Sequence, residues 1–443
     1  MIFITHLSKL NYDLINEIFM IKNHEINCKI TNYNDIINKS TYVDKNEKYI
    51  FITEHNINTF NNYDNVTIVN INVDITVNNI VHILIHLNYN FDSYYQEYNN
   101  SIISNEKFTV DKHYEYIKNP WKILNENKKF PVYQRYSDSI NSENADKNIK
   151  ITNNMAIEYD NSDRIALLIS NGYSFNFHCQ VTELFPMLII CKMIINKYDI
   201  KYIDIFISKI YEKIYTELFE IFDIKNINIK YLDICSENME YINIKYKKIY
   251  NFGWFNGHRK TNHYTLDIFT LYLKYYFNNK YINNEHNVNN HENVALLRIN
   301  NSDKDEINKN ANFITQPHRY IYNSNEIKIF LENKNFNVIN TENMSLYERF
   351  IHLSYKKNII IEAGASMPNL YFCKNNEQCN VILLCNENMY NYHGIYEDQI
   401  KYYYNNVNVI VGSMENDIME KSNEFVNYPY IININELDNN IKN

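Results

Sequence analysis

Residues Asn358 to Phe372, NIIIEAGASMPNLYF, carry the strongest chemical signal in the chain. A run of apolar β-formers ends in Glu362, passes through the small residues Ala363, Gly364, Ala365 and Ser366, and reaches Pro368 and Asn369 before an amphipathic segment. That order reads as a buried strand delivering a tight turn into a helix. Backbone N–H groups at such a helix start, with the positive end of its dipole, suit an anion, and a diphosphate is the natural occupant. Gly364 is one of only six glycines in 443 residues. Average proteins use glycine at ~7%, so a glycine kept here marks a backbone position where a Cβ would collide.

Arginine is equally scarce. The chain holds Arg135, Arg164, Arg259, Arg298, Arg319 and Arg349 against a background of lysine, and an arginine kept in such company suggests a need for its bidentate fork. Arg298 closes the strand pattern VALLR, so it falls at the edge where open α/β sheets bind ligands, and Arg319 follows in the loop QPHRYIY before the next helix. His178 and Glu183, in NFHCQVTELFP around a helix start, are the residue types that a general base and its partner require, because neutral imidazole takes a proton near pH 7. A structural histidine beside an apolar segment has the same appearance. The loop NFGWFNGHRKTNH gathers Gly253, Trp254, Gly257, His258, Arg259 and His263. It reads either as a domain-crossing turn with a packed tryptophan or as a loop facing a ligand cleft.

The elements that must position these residues follow a clear rhythm. Residues 1–105 show strand patterns in MIFIT, KYIFITEH and NVTIVNIN and helical patterns in LNYDLINEIFMIKN and NNIVHILIHLNYNF, an N-terminal α/β extension. Residues 106–160 weaken into an irregular linker region, with SDSINSENADKNIKITNN as its clearest stretch. Residues 161–280 and 281–443 then alternate strand and helix patterns at lengths that imply parallel βαβ units. The expected fold class is α/β, with two Rossmann-like doubly wound domains facing a cleft. Within the second, Ser345 and Glu348 form an S-x-x-E capping box at a helix start.

Composition limits the partners. A formal charge of −9 and a pI near 5.9 exclude the broad basic face that nucleic acid requires. The first residues lack a basic leader followed by an apolar core, and no uninterrupted apolar run approaches the ~20 residues of a membrane span. The expectation is a soluble, cytoplasmic chain, in the host cytoplasm if a virus encodes it, as the codon-biased excess of Asn, Ile, Lys and Tyr would suit. The seven cysteines are dispersed without a CxxC pair, which reads as reduced core thiols without a metal site. Tyr and Phe, 41 and 23 in number, are sufficient for packed cores.

Taken in order, HCQVTELFP, ALLR, RYIYNSNEI and EAGASMPNLYF resemble the family 61 glycosyltransferases, and SLYERFIHL looks like the helix that precedes their glycine signature. The resemblance covers roughly Gly172 to Gly412. It implies a GT-B fold, with residues 161–280 as the acceptor domain and 281–443 as the nucleotide-sugar donor domain. It further implies an inverting, metal-independent transfer from a nucleotide sugar, UDP-linked, to a hydroxyl of a glycan or glycoprotein, with no separate cofactor. In that scheme His178 or Glu183 deprotonates the acceptor, while Arg298, Arg319 and the turn at Gly364, Ala365 and Ser366 hold the diphosphate. Glu362 and Asn369 face the nucleoside or sugar hydroxyls, with Trp254, His258 and Arg259 on a possible cleft loop. Where many members carry histidine before the signature glycine, this chain has Ala363. That departure favours the alternative expectation of a GT-B glycan-binding or assembly protein without activity.

Overall fold

The computed structural model describes residues 2–6, 13–18, 29–32, 49–53, 66–70, 75–86, 95–105, 121–125, 128–131, 156–158, 164–169, 177–231, 243–252, 263–282, 292–297, 321–341, 344–354, 356–364, 366–372, 378–392, 400–401, 404–413 and 430–441. Contacts divide the chain into two compact units: Met1–Phe108 with Asn119–Phe175 and Cys179–Tyr276, and Thr109–Lys118 with Asn176–His178 and Phe277–Asn443. The fold is mixed α/β, and parallel pairing dominates the sheets of both units.

Among the described residues, the first unit forms two sheets. Strands β1 (Ile2–His6), β2 (Lys29–Asn32), β3 (Tyr49–Thr53) and β4 (Val66–Asn70) form a parallel sheet in the order β2-β1-β3-β4. Helix α1 (Val77–His86) follows. Then β5 (Gln96–Asn105), β6 (Trp121–Asn125), β7 (Lys128–Pro131), β8 (Ala156–Glu158), β9 (Arg164–Leu168), β10 (Tyr202–Ile207), β11 (Ile227–Tyr231) and β12 (Asn243–Asn251) build the larger sheet. Its order is β11-β10-β9-β12-β5-β6-β7, with β8 beside β12. Strands β8 to β12 pair in parallel, whereas β12, β5, β6 and β7 pair antiparallel. Residues 106–160, expected to be irregular, thus supply three strands. Short, Lys- and Asn-rich segments such as KKFP lack the apolar alternation that marks a strand in sequence.

Between β9 and β10 runs one helical stretch, Phe177–Tyr198, long and apolar enough by length and composition to cross a membrane; 83% of its apolar window is buried inside the protein. From Cys179 onward it belongs to the first unit, with its Met187–Ile194 segment buried, and it is capped at its end by left-handed Asp199 (φ 47°). Pro186 explains its one irregularity. Proline has no N–H, and its ring collides with the carbonyl four residues back in a regular helix; here Gln180–Leu184 opens into a π-turn, with Phe185 N–H donating to Gln180 O at 2.7 Å. Helix α2 (Met187–Tyr198) continues beyond it, followed by α3 (Glu212–Ile221) and α4 (His263–Ile282). The buried Asp204 carboxylate accepts from Arg164 (3.1 Å), Asn228 (3.1 Å) and Tyr246 (2.6 Å), joining four strands through one ion pair and two hydrogen bonds.

Among the described residues, the second unit forms a parallel sheet in the order β14-β13-β15-β16-β17. Its strands are β13 (Asn293–Leu296), β14 (Phe336–Ile339), β15 (Asn358–Glu362), β16 (Asn380–Asn386) and β17 (Asn406–Gly412). The helices are α5 (Ser324–Asn333), α6 (Leu346–Leu353), α7 (Glu387–Tyr392) and α8 (Ile434–Asn440). Alternate residues of β13, β15 and β16 enter two separate cores. One contains Ile359, Ile361 and Leu383 with Leu353 of α6, Leu370 and Met389 of α7; the other contains Ile360, Ile382 and Leu384 with Ile327 and Leu331 of α5 and Leu437 of α8. Covering on both faces is why these strands are continuously apolar instead of alternating.

Candidate functional site

In an open parallel sheet, ligands bind at the carboxyl ends of the strands where the strand order reverses, because the two connecting loops part there and leave a crevice. In the second unit the chain passes from β13 outward to β14 and then returns to β15 on the other side of β13, so the reversal lies between Leu296 and Glu362. The described residues at the end of β13 stop at Leu297, and the turn after β15 carries Ala363, Gly364 and Ser366. In the first unit the corresponding reversal lies between β9 and β12, with Phe252 N–H donating to Leu168 O at 3.0 Å. In sequence, His178 follows β9 and Trp254 follows β12.

The turn after β15 is built from its backbone outward. Gly364 has φ 125°, a conformation that a side chain strongly disfavours. Ala363 N–H still pairs with Leu384 O (2.8 Å), Met367 N–H donates to Gly364 O (3.2 Å), and the Ser366 hydroxyl donates to Glu362 O (2.7 Å). The helix expected to follow is a 3₁₀ segment of six residues, Met367–Phe372. Asn369 N–H donates to Ser366 O at 3.0 Å. Two of the N–H groups expected to face an anion therefore bond within the turn, and so short a segment has little macrodipole. The helix expected after the turn is corrected to this short 3₁₀ segment.

Glu362 and Asn369 are buried, at 1% and 0% exposure, whereas Ser366 is partly exposed. The Asn369 amide works inside the fold: its oxygen accepts from Arg349 (2.6 Å), and its nitrogen donates to Ser366 O (2.6 Å) and Thr341 Oγ1 (3.4 Å). Arg349, 3% exposed, also donates to Thr341 O (2.5 Å) and Met344 O (3.1 Å), and its guanidinium lies 4.4 Å from the centroid of the Phe177 ring. Sequence reasoning counted Arg349 without assigning it a task. Its signal was position, since it lies on the apolar stripe of α6 with Leu346, Phe350 and Leu353, all buried, and a cation there needs partners.

His178 is partly buried in the helical turn Phe177–Cys179, and Glu183 is partly exposed within the π-turn. The π-turn is anchored by Gln180, whose side-chain oxygen accepts from Tyr215 (2.7 Å), while Phe185 meets the Tyr215 ring edge-on at 5.0 Å. Burial, with the negative charge of Glu183 as a lesser cause, holds the Cys179 thiol well above its ordinary range. At the carboxyl ends of β10 and β11, Lys209 pairs with Glu212 and lies 4.2 Å over the Tyr231 ring, and the Tyr231 hydroxyl also donates to Glu212. These bonds, from Lys209 first, lower the Glu212 carboxyl.

The structure thus gathers Glu362, Gly364, Ser366 and Asn369 around one turn. Ala365, Arg298, Arg319, Trp254, His258 and Arg259 lie outside the described residues. Among the described residues no group of three His, Cys, Asp or Glu side chains is placed to hold a metal ion. Compared with known proteins, the chain matches no family model, and no curated protein matches it significantly.

Proposed function

We propose that the protein is an inverting, metal-independent glycosyltransferase of GT-B type that moves a sugar from a UDP-linked donor to a hydroxyl of a glycan or glycoprotein. The observation that carries this reading is the strand-order reversal at β13 and β15, which falls between the strand leading to Arg298 and the Gly364 turn. Two of the segments that carry the resemblance to family 61, ALLR and EAGASMPNLYF, lie at that reversal. In the reaction, His178, or Glu183, takes the acceptor hydroxyl proton. The hydroxyl oxygen forms its bond to the anomeric carbon from the face opposite the leaving group. The anomeric C–O bond breaks, and the diphosphate leaves with the electron pair, its charge met by Arg298 and Arg319. With the turn's N–H groups partly used internally, the two arginines carry most of that task. Glu362 and Asn369, both buried, shape the turn from within.

Internal bonding of the Met367 and Asn369 N–H groups favours a second reading, a glycan-binding protein on the same fold without transfer activity. Calorimetry against UDP and a panel of UDP-sugars, followed by donor turnover in EDTA, separates the two. The transferase reading expects UDP binding and turnover that survives EDTA and is lost in Arg298→Ala. Oligosaccharide binding with no response to any nucleotide sugar would overturn it in favour of the second.

A further inference from the structure

The contacts of Arg349 link two segments far apart in sequence. Its guanidinium reaches the Asn369 amide at 2.6 Å on one side and the Phe177 ring at 4.4 Å on another. Phe177 immediately precedes His178, and contacts group both with the second unit. From Asn369 the connection continues to Ser366 O (2.6 Å), and from the Ser366 hydroxyl to Glu362 O (2.7 Å) at the end of β15. The guanidinium is further fixed by Thr341 O and Met344 O, the latter next to the capped start of α6. Its planar fork can meet a side-chain amide and two backbone carbonyls while its face remains available to a ring, a combination lysine cannot reproduce.

We propose that Arg349 is a positioning residue that holds the segment bearing His178 in register with the Gly364–Asn369 turn. The inference rests on the transferase reading only for the task given to His178; the coupling itself is a property of the buried contacts. A change at Asn369 then reaches His178 through Arg349 and Phe177, although Asn369 and His178 are on different elements.

The test uses the full-length chain carrying ¹³C-labelled histidine, with the His178 resonance assigned by its loss in His178→Gln. Asn369→Ala and Phe177→Leu are each expected to move that resonance and to lower donor turnover by about tenfold. Phe177→Leu leaves UDP affinity unchanged, whereas Asn369→Ala weakens it. Phe177→Tyr, which keeps the ring, restores the resonance and the turnover relative to Phe177→Leu. Asn408→Ala, in the same unit but at the amino edge of the sheet, leaves the resonance in place. If Asn369→Ala proves too unstable to study, the Phe177 pair decides alone. An unmoved His178 resonance in both Asn369→Ala and Phe177→Leu overturns the inference. Failure of the wild-type protein to bind any nucleotide sugar overturns the transferase reading instead, and the resonance still decides the coupling.

Discussion

The two edges of the second unit's sheet handle buried polar groups in opposite ways. At the amino ends of the strands, asparagines bond to one another: Asn408 Nδ2 donates to Asn380 Oδ1 (3.1 Å), Asn380 Nδ2 to Asn358 Oδ1 (3.0 Å), and Asn358 Nδ2 to Asn293 Oδ1 (2.8 Å). Asn293, Asn358 and Asn380 occupy matching positions on adjacent strands, so each amide donates sideways to the next in a directional ladder. At the carboxyl ends, one arginine, one asparagine amide and a glycine with φ 125° hold an irregular turn. The ladder repeats a single interaction along regular strands, whereas the turn depends on unlike contacts that meet at one side chain. Regular repetition suits an edge whose work is cohesion; converging contacts suit an edge that must hold one particular shape.

The largest expected effect lies at the ladder. Asn380→Leu removes the partners of Asn358 Oδ1, Asn408 Nδ2 and Asn440 O together, and leaving buried polar groups unsatisfied costs about 3 kcal/mol. The denaturation midpoint should drop accordingly, with UDP affinity in the folded protein unchanged. A loss below about 1 kcal/mol would mean that the amides are equally well met by water, and the contrast between the edges would collapse. Gly364→Ala comes next, at about 2 kcal/mol for a side chain forced to positive φ. Here the expected pattern is reversed: a smaller loss of stability, accompanied by weakened UDP binding in calorimetry. Equal binding losses at both edges would erase the distinction.

Much of this second unit was legible in the sequence, because it rests on strong local signals. NIIIE and VILLCN could only be buried strands, the Ser345–Glu348 capping box forms as its spacing implies, and the scarcity of glycine drew attention to Gly364, which adopts a positive φ. The ladder was invisible for the opposite reason. Asparagine is so abundant that its recurrence at the start of β13, β15, β16 and β17 looks like codon bias, and only the register reveals three of these residues as neighbours. Arg349 and Phe177 could not be linked without tertiary structure, being 172 residues apart in sequence. The 3₁₀ form of Met367–Phe372 reflects bonds from Ser366 and Asn369 side chains to nearby carbonyls, a competition with helix formation that residue patterns do not rank.

Helix α6 joins the two edges, leading from the carboxyl end of β14 to the amino end of β15, and its termini sharpen the comparison on a finer scale. At its start, the Ser345 hydroxyl accepts from Glu348 N–H (3.1 Å); Ser345→Ala should cost about 1 kcal/mol, seen as a lower melting temperature. At its other end His352 precedes the ladder residue Asn358 by one short connection. Burial first, and the nearby positive charge of Lys356 second, lower its pKa from the ordinary 6.5, with Glu348 opposing. The sign follows from linkage: between the lowered folded value and 6.5 the unfolded chain binds more protons, so stability rises with pH. The contribution is complete above pH 6.5 and is lost as pH falls through the folded value. The ladder amides do not titrate, so they add nothing to this slope. The difference in melting temperature between wild type and His352→Gln should therefore shrink, or change sign, as the pH is lowered below 6.5. A difference that stays constant with pH would show that His352 feels neither the burial nor the lysine charge, and that α6 meets the ladder edge in a more open arrangement.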